Sequence, residues 1–541
     1  MTMDQMLKEK KYQEIWEKYC SFLDFSIDDF MEIQNRLLLE QISIYAKSEL
    51  GQKIMNGHVP TSVDEFRKLV PLTSYEDYAD MLLPKNKDVL PGEPIVWIQT
   101  TWEGGKAPIK VAPYTRAMID MNREFALACC ILSTSTKKGE FKLRPNMNFL
   151  NGMAPLPYLT GLLPYSIQGD YTVTFLPDIE EGNKMGFGER NKAGFKLGMQ
   201  KGIDLFYGLS SIIVRMGESF VEGSSTKSKF DIFSYDMKML SRLAKAKIRS
   251  KFSKQPMYPK DVFDLKGFVC AGTDSLHFKK KIEKYWGVKP LEIFGGTEAC
   301  AIGSESWTKN GIILWPNICF YEFIPMHEFY KNLENPKYQP KTYLINELKA
   351  DEHYEIVITT LKGGAFARYR IGDVFKCLSL TREEDGIMLP HFSFVDRIAP
   401  VIDLAGFTRI TQGTINEVIS LSKLDIHDWF AIKKFDVEQR PYVSMYIEIK
   451  HPKQGYGLDN VELIKDTLEI YFRYLDEDYK NLRKMLGIDP LQVHIIPLGT
   501  IKAYEASVNH KVFRVNPNYF DVTEMLKIAS MKQGGETFAT S

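Results

Sequence analysis

The sequence is poor in the features that most quickly betray a specialised protein. Its 541 residues include 7 cysteines, an odd number, and no two of them form a Cys-x-x-Cys pair. A disulfide scaffold is therefore excluded. Cys20, Cys129, Cys130, Cys270, Cys300, Cys319 and Cys377 read as reduced, mostly buried thiols; Cys270, for example, stands in the apolar string Val269-Cys270-Ala271. No nucleophile signature surrounds any of them. An excess of one charge is also missing: Lys+Arg is 69 and Asp+Glu is 69, so the net charge is zero. Bulk attraction to nucleic acid is not expected, although a zero total is still compatible with a local basic patch. With 37 glycines and 26 prolines the chain is not collagen-like, and it has no internal repeat or low-complexity tract. No run reaches the roughly 18 apolar residues that span a bilayer. The first twenty residues, MTMDQMLKEKKYQEIWEKYC, are charged and have no apolar signal core. The expectation is a cytoplasmic protein with neither a membrane nor a nucleic acid as partner.

What the sequence does contain is an ordinary globular composition, 44% hydrophobic and 26% charged. A single core rarely grows past about 250–300 residues, so two or more domains are expected. Phe30, Ile33, Leu37 and Ile44 recur at helical spacing within Ile27–Ala46, a packing helix. Ser62 followed three residues on by Glu65 reads as a helix cap. Short runs bounded by turn residues predict strands at Gly267–Ala271, Leu291–Phe294, Cys319–Ile324 and His353–Thr360, with a helical pattern at Leu276–Trp286 among them. This alternation predicts an α/β fold with a large sheet core. Toward the C-terminus, Val443, Met445, Ile447 and Ile449 alternate with Ser444, Tyr446 and Glu448, a half-buried strand. A charged helical stretch, Leu463–Leu486, and a strand, Gln492–Ile496, follow. The polar run 381–386 marks the approach to a boundary, giving a large body over 1–395 and a small α+β domain over 396–541.

Five stretches offer chemistry, each with a plainer structural reading. Thr100–Lys110 places a glycine pair among hydroxyls and lysines after a strand. Such a loop wraps phosphates with backbone N–H groups and lysine charge, or it is simply a hairpin turn. It is not a P-loop, because Gly-x-x-x-x-Gly-Lys-[Ser/Thr] is absent. Gly295-Gly296-Thr297-Glu298 ends a strand with a hydroxyl and a carboxylate. It suits a phosphate and Mg²⁺, or a helix N-cap by Thr297. Phe320-Tyr321-Glu322-Phe323 is an aromatic strand that reads as core when taken alone. Tyr369-Arg370-Ile371-Gly372-Asp373 puts a carboxylate at a strand edge, fit for the hydroxyls of a ribose or for an ion pair with Arg370. Arg397 and Arg409 match a phosphate bidentately, or form surface ion pairs.

The order of these stretches carries more information than any one of them. It is the order seen in adenylate-forming enzymes, the acyl-CoA synthetase and luciferase-like superfamily. More closely, the chain resembles the auxin-responsive Gretchen Hagen 3 family of acyl acid amido synthetases. The residues that carry the likeness are 315–325 (WPNICFYEFIP), 367–374 (ARYRIGDV), 70–77 (VPLTSYED) and 506–515 (ASVNHKVFRV). The resemblance implies a large N-terminal ATP- and acid-binding domain and a small mobile C-terminal lid. It also implies a ligase that forms an acyl-adenylate from ATP and a carboxylic acid, then passes the acyl group to an amine, usually of an amino acid. Carried onto this chain, Thr100, Thr101 and Lys106 lie at the β- and γ-phosphates. Gly296 and Thr297 approach the α-phosphate, and Glu298 helps hold Mg²⁺. Tyr321 lines the adenine slot and Asp373 takes the ribose. Arg397 sits near phosphate at a hinge, and Lys511, with Lys502 as its rival, comes from the lid. An acyl-CoA ligase of the phenylacetate type and a catalytically degenerate nucleotide binder are the alternatives. The sequence departs from the family pattern at Trp102 and Glu103, where small hydroxyl residues are expected. Glu103 would bring negative charge toward triphosphate oxygens.

Overall fold

A computed structural model describes all residues except 102–108, 225–235, 273–274, 398–400, 407, 451–460, 488, 509–510 and 537–541. Its internal contacts divide the chain into two units, Met1–Asp396 and Arg397–Ser541.

The first unit is built on one eleven-stranded sheet and a separate two-stranded hairpin. The hairpin pairs β1 (Pro94–Thr101) with β2 (Ile109–Thr115), antiparallel, with Thr100 opposite Lys110. The large sheet uses β3 (Met147–Asn151), β4 (Val173–Leu176), β5 (Leu205–Leu209), β6 (Gly267–Ala271) and β7 (Leu291–Gly296), all mutually parallel. It continues with β8 (Cys300–Glu305), β9 (Ile312–Leu314), β10 (Cys319–Pro325), β11 (His353–Thr360), β12 (Tyr369–Ser379) and β13 (His391–Arg397), in the overall order β10-β11-β12-β13-β9-β8-β7-β6-β5-β3-β4. Parallel strands covered on both faces need continuous apolar runs rather than alternation. LFYGL in β5 and GFVCA in β6 are of that kind. The sheet changes from parallel to antiparallel at β7–β8.

Helices seal the sheet. Arg116–Thr134 starts at Thr115, whose hydroxyl accepts from Met118 N at 3.3 Å, and it buries Phe125, Leu127, Ile131 and Leu132. Helix Ile27–Tyr45 is capped by Ser26 and turns Phe30, Leu37, Leu38 and Ile42 inward. Two glutamines share that buried face. Gln34 donates to the carbonyl of Cys319 and accepts from Tyr321 N, while Gln41 accepts from Gly363 N and donates to the carbonyl of Gly364. Gln34 thereby satisfies backbone on the edge strand β10, and Gln41 does the same for the loop after β11, groups that would otherwise be buried without partners. Ser62 caps its helix through Glu65 N, and the Glu65 carboxylate reaches back to Thr61 N at 2.7 Å.

The second unit holds a hairpin of β14 (Val401–Leu404) and β15 (Thr408–Thr411), and a three-stranded sheet of β16 (Ile426–Phe435), β17 (Pro441–Ile449) and β18 (Leu491–Ile496). Here the structure corrects one sequence expectation and refines another. Strand β17 is not half-buried: Ser444, Tyr446 and Glu448 are as enclosed as Val443, Met445 and Ile447. Glu448 is tolerated inside because it accepts from Gly499 N (2.7 Å) and Ile501 N (2.8 Å) at the start of helix Thr500–Val508. The stretch Leu463–Leu486 is two helices, Val461–Leu475 and Glu477–Leu486. Asp476 divides them by accepting from Asp478 N and Tyr479 N, a local cap that an unbroken apolar periodicity does not reveal. All seven cysteines are free and buried. No helix among the described residues is long and apolar enough to cross a membrane.

Candidate functional site

The glycine pair lies at the parallel-to-antiparallel change, at the C-terminal end of β7. Open α/β sheets bind ligands at the carboxyl ends of their strands. Gly295 faces Ala301 and Gly296 faces Cys300, so Thr297, Glu298 and Ala299 form the tight turn of a β7–β8 hairpin. The helix N-cap reading of Thr297 is thereby excluded. Glycine is obligatory at 295, because a Cβ there would stand 1.8 Å from the Cys300 carbonyl oxygen. Cys300 itself completes the reversal at φ +59°. The turn is also held from outside, where the Tyr114 hydroxyl on β2 donates to the Thr297 carbonyl at 2.9 Å.

This geometry sets Glu298 against the β1–β2 hairpin. Its Oε1 lies 3.0 Å from Lys110 Nζ and accepts from the Tyr369 hydroxyl at 2.8 Å. Lys110 also donates to that hydroxyl at 2.8 Å, closing a three-membered cluster. Burial pushes the Glu298 carboxyl up. The Lys110 charge and the hydrogen bonds from Lys110 and Tyr369 outweigh burial and hold it below the ordinary carboxylate value. The Tyr369 phenol is driven far up, first by burial and then by the Glu298 charge, so it remains a donor. The Lys110 ammonium stands 5.7 Å from the ring centre of Tyr75 and 5.5 Å from that of Tyr369, where both ring faces favour a cation. The Tyr75 hydroxyl accepts from Val111 N at 2.5 Å, fixing the strand next to Lys110. Thr73 bridges the backbone on both sides of Tyr369, donating to the Arg368 carbonyl and accepting from Arg370 N, each at 2.9 Å.

The structure thus brings together the Thr100–Lys110 hairpin, the Gly-Gly-Thr-Glu turn and the Tyr-Arg-x-Gly-Asp strand. Thr100 is half-buried opposite Lys110, and Thr297 and Glu298 are buried. Lys106, Trp102 and Glu103 lie outside the described residues, as does the side chain of Thr101. Asp373 is buried, and its charge helps raise the neighbouring Glu355 carboxyl, which burial raises most. Arg370 clamps Glu355 rather than making the expected pair with Asp373, at 2.6 and 2.8 Å, and reaches Asn332 at 2.8 Å. Tyr321 is a correction. Its ring is in the core beside Phe30, and its hydroxyl donates to the Ile302 and Trp315 carbonyls. At 1% exposure it has no face left to line an adenine slot. Arg397 and Lys511 belong to the second unit. There Arg397 joins Arg409 and Lys433 in holding the Asp403 carboxyl low against burial, Arg409 pairs with Asp403 at 3.3 Å, and Lys511 and Lys502 are exposed. Sequence reasoning missed Lys110 and Tyr369 as a pair. The available signal was their place inside two motifs already singled out.

The models of the GH3 family N-terminal domain and central domain match residues 21–151 and 312–397. A jasmonoyl-L-amino acid synthetase of Nicotiana attenuata is 25% identical over 242 residues, covering 41% of this chain and 38% of that protein. One from Oryza sativa subsp. japonica is 24% identical over 248 residues, covering 42% and 39%. The matched region thus spans under two-fifths of the length of these curated relatives. An acyl acid amido synthetase solved with 2,4-DB shares the fold at a TM-score of 0.50, 16% identity and 97% coverage of both chains. A 2-hydroxyisobutyryl-CoA ligase solved with 2-HIB-AMP and CoA does so at 0.53, 13% and 86% of both chains. Two GH3-family domain models thus match the stretches that hold the hairpin and the Tyr-Arg-x-Gly-Asp strand, and the fold is the one these two solved ligases share.

Proposed function

We propose that the protein is an ATP-dependent ligase that joins a carboxylic acid to an amine through an acyl-adenylate. The observation that carries this reading is the convergence of Lys110, Glu298 and Tyr369 on the turn after β7. In the first half-reaction an oxygen of the acid attacks the α-phosphorus of ATP, the bond to the β-phosphate oxygen breaks, and pyrophosphate leaves. In the second, an amine nitrogen attacks the acyl carbon and AMP leaves. Displacement at phosphorus chiefly requires positioning and charge neutralisation.

The residues fit this chemistry. The Thr297 hydroxyl and the Gly296 backbone offer contacts to the α-phosphate, while Thr100 and Lys110, and by the family likeness Thr101 and Lys106, are assigned the β- and γ-phosphates. Asp373 is assigned the ribose hydroxyls by the family likeness; as enclosed as Tyr321 in this structure, it would have to be uncovered to reach them. Arg397 and Lys511 complete charge neutralisation when 397–541 acts as the lid. Among the described residues no group of three or more His, Cys, Asp or Glu could hold a metal alone. Mg²⁺ bound through one carboxylate and nucleotide phosphates needs no such group. The Oε2 of Glu298 suits that role, because Gly296 has no side chain where a Cβ would approach that oxygen to 3.1 Å. When bound, the ion supplies charge neutralisation on the phosphates. Lys110, beside the same carboxylate, would add its charge toward the phosphate oxygens. The amine acceptor, rather than coenzyme A, is supported by the likeness to GH3-family domain models and to two jasmonoyl-L-amino acid synthetases.

The test is ATP–pyrophosphate exchange over a mixed panel of aromatic and aliphatic acids, followed by product analysis with an amino-acid panel and with CoA. Acid-dependent exchange and an amide product are expected. No exchange with any acid, in protein that binds ATP, would refute adenylation; a thioester without an amide would refute the acceptor.

A further inference from the structure

The zero net charge conceals a local excess. Helix Met237–Ser253 carries Lys238, Arg242, Lys245, Lys247, Arg249 and Lys251 and no acidic residue. At 100° per residue, Met239, Leu243 and Ala246 share one arc, and they are buried against a cluster that includes Phe263, Phe268 and Trp286. The outward arc is not uniformly polar. Met237, Ala244 and Ile248 recur at steps of 7 and 4 and form an apolar stripe that Phe252 extends. Met237, Ile248 and Phe252 are 83%, 58% and 86% exposed. Lys238, Arg242, Lys245 and Arg249 border this stripe on one side, and Lys247 and Lys251 on the other. Asp264 lies 3.2 Å from Arg242 and Asp261 lies 3.6 Å from Arg249, while Lys238, Lys245 and Lys251 point into solvent.

We propose that this helix docks the protein on an anionic phospholipid surface. The lysines meet headgroup charge, and Met237, Ile248 and Phe252 enter the boundary between headgroups and acyl chains. Large apolar side chains standing singly on a surface are ordinary; a stripe of them flanked on both sides by cations is the arrangement of an interfacial helix. A nucleic acid would use the cations and leave Phe252 and Ile248 uncovered. An acidic groove that swallows a helix needs the arc that this helix has already buried in the body. A bilayer needs only the outward arc, and the long lysine stems let the charges stay at headgroup level while the stripe sinks.

The test is co-sedimentation of the full-length protein with vesicles of phosphatidylcholine and phosphatidylserine in a 70:30 ratio, against pure phosphatidylcholine vesicles. Binding to the mixed vesicles alone, weakening with added salt, is the expected result. Each cation near an anionic surface changes affinity roughly fivefold, so the triple variant K238E/K245E/K251E should lose at least about a hundredfold. The variant I248S/F252S should lose about tenfold on the same vesicles while keeping the salt dependence. All five positions are exposed and lie outside the proposed catalytic machinery, so unchanged circular dichroism and melting are expected. Equal binding to both vesicle types would overturn the proposal. So would wild-type affinity in I248S/F252S, or binding to polyuridylate or polyglutamate without binding to vesicles.

Discussion

Two buried carboxylates, Glu322 and Glu298, take partners from successive residues, Arg368 and Tyr369, and show how differently an inaccessible charge can be handled. Glu322 receives a bidentate guanidinium, Arg368 Nε to Oε2 at 2.9 Å and Nη2 to Oε1 at 2.8 Å, and its Oε1 also accepts from the Thr342 hydroxyl at 2.7 Å. The remaining Arg368 nitrogen donates to the Arg67 and Val70 carbonyls. Every polar atom of that pair is engaged, in the planar geometry that only arginine offers. Glu298 receives a single ammonium and a phenol, both on one oxygen. The first arrangement locks the N-terminal segment 67–70 to the sheet. The second keeps a charge inside with one ammonium, one phenol and its own backbone N–H as partners. The two partners are adjacent in sequence: Arg368 lies in the bend before β12 at φ +46°, and Tyr369 is the first residue of the strand.

Breaking the first pair should give the largest effect. Arg368→Met strands Glu322 in the core, with Arg67 at 3.6 Å as the remaining cation. A loss of about 3–5 kcal/mol in denaturant unfolding is expected; a loss below about 1 kcal/mol would erase the distinction between the pairs. Glu298→Gln comes next. It should lower ATP–pyrophosphate exchange by about 10²–10³-fold while the melting temperature stays close to wild type, since the amide oxygen still accepts from Lys110 and Tyr369. Lys110→Met should change how stability responds to pH. In the wild type the Glu298 value is lowered, so its contribution is present above the unfolded value and is lost as pH falls through the folded one. Without the ammonium, burial dominates and raises the carboxyl. Its contribution is then greatest below the unfolded value and is lost as pH rises through the folded one. Melting curves from about pH 4 to about pH 7 should therefore show a gap to wild type that widens with pH, and a constant gap would deny the coupling. The smallest effect belongs to Arg36→Ala. It removes the exposed helix pair with Glu40, 2.7 Å apart, and should cost about 0.3–0.5 kcal/mol.

The glycine pair at 295–296 was legible as a close approach, because glycine is the residue chain geometry demands there, and the strand before it read correctly. The cluster around Glu298 was not, since Lys110 is 188 residues away and Tyr369 is 71 away. Local patterns carry no information on which distant side chain closes on a carboxylate. Tyr321 misled for a related reason. An aromatic strand looks the same whether its ring faces a ligand or the core, and only the Ile302 and Trp315 carbonyls decide. Strand β17 read as half-buried because alternating polarity cannot foresee that Glu448 would cap a helix fifty residues later.

By itself the sequence determined the α/β class, the family likeness, the strand ending in the glycine pair and the overall charge balance, because these depend on backbone restriction, apolar periodicity and composition, all local or additive quantities. The tertiary structure alone decided which partners hold each buried carboxylate, where Tyr321 lies, and which arc of the cation-rich helix 237–253 faces outward. Those are outcomes of which groups meet at hydrogen-bond range, and in a chain of 541 residues that is settled by packing between distant segments.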